Sequence, residues 1–161
     1  MIEKPVEADS AEIVQLIADA GVFSALDVDC VRELLEEYHQ AEDHGGYTFL
    51  IERSAEDRRI QGMICYGLTP LTVGTYDLYW LCVAPQARRG GIARQLFAAM
   101  EEDLRALKAR MLVIETVSTE GYRPAREFYL SQGAQRQCTI PDFYVPGEDM
   151  VMYVKRYEVS S

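Results

Sequence analysis

The segment Val83-Ala84-Pro85-Gln86-Ala87-Arg88-Arg89-Gly90-Gly91-Ile92-Ala93 joins an apolar, strand-like run (Leu78 to Val83) to a helix-like run (Ala93 to Lys108). A strand passing through a glycine pair into a helix brings bare backbone N–H groups to the helix N-terminus. Unpaired donors and the positive end of the helix dipole then point outward together, which favours an anion. The two glycines let that anion approach the main chain with no Cβ in the way. Two arginines precede them in a chain of net charge −10, so the local Arg-Gly knot stands out from its acidic background. The segment reads as a phosphate-binding turn.

The 161 residues suit one domain, 1–161, large enough to bury a proper core. Apolar and charged fractions of 48% and 26% are those of an ordinary globular protein. No apolar run approaches the ~20 residues that span a bilayer, so no membrane partner is expected. Met1-Ile2-Glu3-Lys4-Pro5 lacks the charged-then-apolar pattern of a secretory signal, and the expected location is cytoplasmic. The acidic balance, 16 basic against 26 acidic residues, is the reverse of that of a nonspecific nucleic-acid binder. It mildly favours a cationic small substrate through long-range attraction.

The four cysteines, Cys30, Cys65, Cys82 and Cys138, are scattered with no C-x-x-C pair. Three lie in apolar strand-like or helix-like runs, where a free thiol behaves as a small hydrophobe, and reduced thiols are expected. His39 and His44 flank a glycine turn and are too few to hold a metal, so no metal is expected.

Repeats, linkers and low-complexity tracts are absent from the sequence. A short strand, Ile2 to Val6, leads to a helix from Asp9 to about Ala20, with Asp9 and Glu12 in capping-box spacing. Ile13, Leu16, Ile17 and Ala20 fall on one face of it, and Gly21 stops it. A second helix starting near Asp27 or Asp29 carries Val31, Leu34, Leu35 and Tyr38 as its stripe. Three meander strands follow, Tyr47 to Arg53, Arg59 to Leu68 and Thr75 to Val83, rich in β-branched and aromatic residues. Then come a long helix, Ile92 to Lys108, a strand, Met111 to Val117, and a short helix, Pro124 to Gln132. Pro124 suits the first turn of that helix and Gly133 its exit. Strands near Gln135 to Ile140 and Met150 to Tyr157 close the chain, with a Pro-rich acidic loop, Pro141 to Asp149, between them. The order β-α-α-β-β-β-α-β-α-β-β predicts a mixed α/β sheet, mostly antiparallel, with helices on both faces.

This order, with Arg88, Gly91 and Ala93 in a Q/R-x-x-G-x-G/A turn after a Val83-Ala84-Pro85 lead-in, resembles the GNAT superfamily of acyl-CoA-dependent N-acyltransferases. Ala125-Arg126-Glu127-Phe128-Tyr129 followed by Gly133 resembles the family's A-x-x-F-Y-x-x-x-G signature. The two patterns together, in strand and helix context, are fairly specific, and the resemblance covers essentially the whole chain. The ending Asp142-Phe143-Tyr144-Val145-Pro146-Gly147-Glu148-Asp149 is similar to that of a subgroup of uncharacterised bacterial GNAT proteins.

The resemblance implies acetyl-CoA as co-substrate, with its pyrophosphate on the backbone N–H groups of Arg88, Arg89, Gly90, Gly91, Ile92 and Ala93. Pantetheine would pair with main-chain groups of Leu81, Cys82 and Val83, and Arg126 would join the cofactor site. The acceptor would be a small-molecule or peptide amine. Dimers are common in the family, so the resemblance allows a homodimer.

Acetylation of an amine requires loss of the ammonium proton, a donor for the developing oxyanion, and modest help in reprotonating the departing thiolate. Tyr129 stands at the family's usual acid position. Asp77 stands six residues before Val83, where the histone-acetyltransferase branch carries its catalytic Glu; Glu115, Asp142, Glu148 and water remain rivals as base. Cys82 alternates onto the face opposite Asp77 and reads as core, with nothing to activate its thiol. Tyr76, Tyr79, Trp80, Phe143 and Tyr144 suit either a substrate pocket or core packing. Glu36-Glu37 and Glu101-Glu102-Asp103 read as solvated helix faces. The alternative to an enzyme is a non-catalytic acyl-CoA-binding module, against which Tyr129 argues because a pure binder needs no acid. No Walker-type or G-x-G-x-x-G turn follows the first strand, which counts against other nucleotide-binding domains.

Overall fold

Ser24 and Asp27 form a reciprocal capping box at the start of the second helix. The Asp27 carboxylate accepts the Ser24 N–H at 2.7 Å, and Ser24 Oγ accepts the Asp27 N–H at 3.2 Å. In this computed structural model, which describes residues 1–158, that helix (α2, Ala25–Gln40) begins ahead of the predicted Asp27 or Asp29. The first helix (α1, Ser10–Asp19) departs from expectation differently. Asp9 stands at its N-cap position but makes no side-chain cap. Its carboxylate instead accepts the Val6 N–H at 2.9 Å and pairs with Arg53 at 2.7 Å. Glu12, the presumed capping partner, accepts the Ile60 N–H at 2.9 Å. The chain turns at Glu7–Asp9, so the first strand (β1) is only Ile2–Glu3 rather than Ile2 to Val6.

The remaining elements follow in the expected order: β2 (Tyr47–Arg53), β3 (Ile60–Leu68), β4 (Thr75–Val83), α3 (Ile92–Ala106), β5 (Met111–Val117), α4 (Arg123–Ser131), β6 (Gln135–Val145) and β7 (Glu148–Arg156). They make a mixed α/β fold with a seven-stranded sheet in the order β1-β2-β3-β4-β5-β7-β6. β4 and β5 are the parallel pair in a mostly antiparallel sheet. The predicted loop from Pro141 to Asp149 is mostly strand: β6 runs on to Val145 and returns as β7 from Glu148, with Gly147 left-handed (φ 87°) at the bend.

The chain packs as two units, Met1–Gly67 with Trp80–Leu104 and Leu68–Tyr79 with Arg105 onward, so β4 contributes its first half to one and its second half to the other. In the first unit, α1 and α2 place Ile13, Ile17, Val31 and Leu35 against Phe49, Ile51, Met63 and Cys65 in one apolar cluster. Gly62, Ile64 and Tyr66 alternate to the other face of β3. There α3 lies close enough that a Cβ on Gly62 would come within 2.8 Å of Ile92 Cγ2 and 3.0 Å of Leu96 Cδ1. Helices therefore cover both faces of this part of the sheet. Glu101 is buried, against expectation, whereas Glu102 and Asp103 stay exposed as expected, and Asp103 also accepts the Tyr66 hydroxyl at 2.6 Å. In the second unit, β5 and β7 bury Leu112, Ile114, Val151 and Tyr153, and α4 adds Tyr129. All four cysteines are free; Cys65 and Cys82 are core, whereas Cys30 and Cys138 are exposed.

Candidate functional site

After Val83, the Ala84 N–H bonds the Gln61 carbonyl at 2.8 Å, and one 3-10 turn, Pro85–Ala87, leads into the Arg-Gly segment. Arg89 (φ 66°) and Gly91 (φ 80°) are both left-handed. A Cβ on Gly91 would meet nothing within 4 Å, so glycine is needed there for its backbone angle and not for space. The first i to i−4 bond of α3 runs from the Gln95 N–H to the Gly91 carbonyl at 3.0 Å. The N–H groups of Ile92, Ala93 and Arg94 precede it and have no acceptor within the helix. The Arg88 and Gly90 N–H groups are drawn into the preceding turn, to Pro85 and Ala87, each at 3.4 Å. The N–H groups left to meet an anion thus centre on the first turn of α3, where the helix dipole would add to them.

Arg88 is exposed, and its guanidinium bonds main-chain carbonyls of the protein itself. Nη2 donates to the Ala20 carbonyl at the end of α1 at 2.8 Å, and Nε to the Val83 carbonyl at 3.4 Å. Arg89 and Arg94 are exposed beside the turn. On β4, Cys82 is buried and its thiol donates to the Leu16 carbonyl at 3.8 Å. Burial pushes that thiol up to about 12, against a smaller opposing influence of Arg88, so it stays protonated and is no nucleophile at neutral pH. Leu81 and Val83 are half-buried on either side of it.

In the second unit, Tyr129 is 7% exposed, with its ring 5.9 Å from Phe128 and 6.3 Å from Tyr153. Burial, with a smaller contribution from Tyr122, raises its phenol well above the ordinary tyrosine value. The group therefore remains a proton donor throughout the neutral range. Arg126, three residues earlier on α4, donates from Nη1 to the Val117 and Thr119 carbonyls, both at 2.7 Å, and so ties the helix to the end of β5.

Asp77 is half-buried on β4 and accepts the Thr69 hydroxyl at 2.6 Å on Oδ2. The β4–β5 ladder pairs Asp77 with Val113 and Leu78 with Ile114. Asp77 thus shares a face with Val113 and, two residues on, with Glu115, which is exposed. Tyr153 pairs with Ile114 on β5, the alternate position, so Tyr129 packs on the opposite face from Asp77. The structure does not bring the two together on one face. Asp142 accepts the Gly147 N–H at 2.7 Å and shapes the β6–β7 bend; Glu148 opens β7 across from Val145.

The five aromatics do not behave as one group. Trp80 packs edge-on to Phe23 (5.4 Å), while Phe143 and Tyr144 pair with each other (4.9 Å) and stay exposed. Thr69, Gly62 and the Arg88 clamp are features of the candidate site with no counterpart in the sequence reading. Of these, only Thr69 had a local signal: its N–H bonds the Thr75 carbonyl at 2.8 Å across a short Pro-Gly connection, which brings it near the side chain two residues beyond.

A sequence model of the acetyltransferase (GNAT) family matches residues 13–134, ending ahead of the Asp142-Phe143-Tyr144 segment. No curated protein matches the sequence. Among solved structures, a protein from Desulfovibrio desulfuricans described as an acetyltransferase of the GNAT family is 32% identical. It covers 97% of this chain and 98% of its own, with a TM-score of 0.91. The ribosomal-protein-S18-alanine N-acetyltransferase of Escherichia coli shares the fold at 15% identity (100% and 96% covered, TM-score 0.79). So does the PaiA N-acetyltransferase of Thermoplasma acidophilum, solved in complex with coenzyme A, at 16% identity (98% and 98% covered, TM-score 0.73).

Proposed function

The chain belongs to the acetyltransferase (GNAT) family, and on that premise we propose that it transfers an acetyl group from acetyl-CoA to a primary amine by direct attack in a ternary complex. The observation that carries this reading is the first turn of α3. Its donors are preorganised by left-handed Gly91 and by the depth at which Gly62 lets the helix sit. A diphosphate needs several such donors at once, and a helix N-terminus supplies them with a favourable dipole. Leu81 to Val83 offer main-chain groups along β4 to the amides of pantetheine. Arg126 serves the cofactor site from the rigid start of α4.

Tyr129 gives its proton to the thiolate as the C–S bond breaks, and its raised pKa keeps that proton available. Asp77, oriented by Thr69, takes the proton that the attacking ammonium must lose. The acid acts on sulfur and the base on nitrogen, so the two have no need to be neighbours. Glu115, on the same strand face as Asp77, is the alternative base. The acceptor is a small cationic amine or a basic peptide, in keeping with a net charge of −10. The two units act as one domain, since the family match runs through both. A donor drawn from an intracellular acetyl-CoA pool supports a cytoplasmic location.

The test is calorimetric titration with acetyl-CoA, followed by thiol-reagent detection of CoA release across a panel of amines. Binding together with amine-dependent release is the expected result. Binding without release from any amine or basic peptide would reduce the protein to an acyl-CoA-binding module.

A further inference from the structure

α1 is held to the rest of the first unit by hydrogen bonds at both ends. Near its N-terminus the Glu12 carboxylate accepts the Ile60 N–H at 2.9 Å. At its C-terminus the Ala20 carbonyl accepts Arg88 Nη2 at 2.8 Å, directly before left-handed Gly21 (φ 81°). A carbonyl in the last turn of a helix has no N–H partner further along, and a cation there also meets the negative end of the dipole. The same guanidinium reaches the Val83 carbonyl with Nε. One planar group thus spans the end of α1, the end of β4 and the entry to the anion-binding turn. Arg88 itself is extended (ψ 152°), and left-handed Arg89 follows. A left-handed residue other than glycine carries some strain, and the hydrogen-bonded Arg88 side chain lies directly before it in the chain.

We propose that Arg88 is a positioning residue for the acyl donor: its guanidinium sets the backbone of the diphosphate turn by clamping it to the carbonyls of Ala20 and Val83, and does not act as a charge on the phosphates. The proposal rests on the assignment of acetyl-CoA to this turn. A lysine at position 88 keeps the charge but has a single nitrogen, unable to reproduce the planar fork. A glutamine loses the charge but keeps a planar N–H donor for one of the two carbonyls. A positioning role and a direct ionic role therefore predict opposite rankings of these two variants.

The experiment measures the acetyl-CoA dissociation constant and the KM and kcat of the whole protein with Arg88→Ala, Arg88→Lys and Arg88→Gln, together with amide hydrogen exchange of each unliganded protein. Arg88→Ala should raise the KM for acetyl-CoA about tenfold, with kcat at saturating donor changed by less than about twofold. Arg88→Gln should recover more of the lost affinity than Arg88→Lys. Exchange should rise at Gly21–Ser24 and Arg89–Ala93 in unliganded Arg88→Ala, before any phosphate is present. Glu12→Ala, which cuts the other tie of α1, serves as the control for stability: it should lower the melting temperature and leave the donor KM alone. Better rescue by lysine with unchanged exchange would assign Arg88 to the phosphates and overturn the proposal. An equal rise in KM with Glu12→Ala would reduce it to general stability. Absence of acetyl-CoA binding by the unsubstituted protein would remove the functional assignment itself, a result separate from either.

Discussion

The proposed donor turn ahead of α3 and the proposed proton-transfer groups of the second unit are built by opposite means. The turn is backbone: N–H groups lined up by one left-handed glycine, a close-packed helix and a side-chain clamp. Tyr129 and Asp77 are side chains whose chemistry depends on what surrounds them, a buried aromatic setting for one and the Thr69 hydroxyl for the other. Charge divides in the same way. Eight basic and eighteen acidic residues fall in the unit with the turn, against eight and eight in the other, so the whole net charge of −10 belongs to the first unit. The proposed anion-binding turn is thus a local exception to its own unit, and backbone donors suit it because they add no mobile side chain to an acidic surface. Backbone sites bind. Side-chain sites can also change protonation state, and the comparison predicts that damage to the first lowers affinity while damage to the second lowers turnover.

The largest effect expected is from Gly91→Val. A β-branched residue at φ 80° is strained even with open space around it. Acetyl-CoA affinity should fall by at least about thirtyfold as the turn abandons its conformation. An intact affinity by calorimetry would break the comparison at its first term. Next, Tyr129→Phe should lower kcat at least about tenfold and leave acetyl-CoA affinity nearly intact. Because burial raises the phenol above its ordinary value of about 10, the protonated, active form persists to higher pH than for a free tyrosine. The variant should therefore lower the plateau of the rate profile without moving a limb below pH about 9; a shifted limb in that range would contradict the acid role. A smaller change is expected from Asp77→Asn. It removes the proposed base and should lower kcat/KM about fivefold with donor affinity unchanged, while an unchanged kcat/KM would transfer the role to Glu115 or water. Smallest is Thr69→Val, which takes the hydroxyl from Asp77 Oδ2 and should cost about threefold in kcat with unchanged donor affinity. Equal loss in Asp77→Asn and in the double variant with Thr69→Val would show that the hydroxyl acts only through the carboxylate.

What was legible in the sequence follows the same division. The strands Tyr47–Arg53, Thr75–Val83 and Met111–Val117 and the start of α3 at Ile92 appear with the predicted bounds, because alternation and glycine punctuation are local signals. Only the tip of the β6–β7 hairpin, Pro141 to Asp149, reads as a loop in the sequence, because Pro141 and the Pro146-Gly147 bend carry turn residues. The strand tolerates them because β6 lies at the end of the strand order and Gly147 supplies the left-handed bend. Partner choice was not legible. By spacing Glu12 belongs to its own helix end, yet it bonds Ile60, 48 residues away; by resemblance Arg88 offers its backbone to a ligand, and its side chain reaches Ala20, 68 residues back. Asp103 was left to solvent and accepts the hydroxyl of Tyr66, 37 residues earlier. Each of these polar groups has a plausible local use, and tertiary proximity, invisible to spacing, decides the one it takes.

The most direct test of the account compares the binding of acetyl-CoA and S-acetyl-pantetheine, which lacks the nucleotide and the diphosphate, to the unsubstituted protein and to Gly91→Val. The account predicts that the unsubstituted protein binds acetyl-CoA far more tightly than the truncated donor, and that Gly91→Val removes most of that difference. Equal affinity of the unsubstituted protein for both donors, or a difference that survives the substitution, would contradict the assignment of the diphosphate to the first turn of α3.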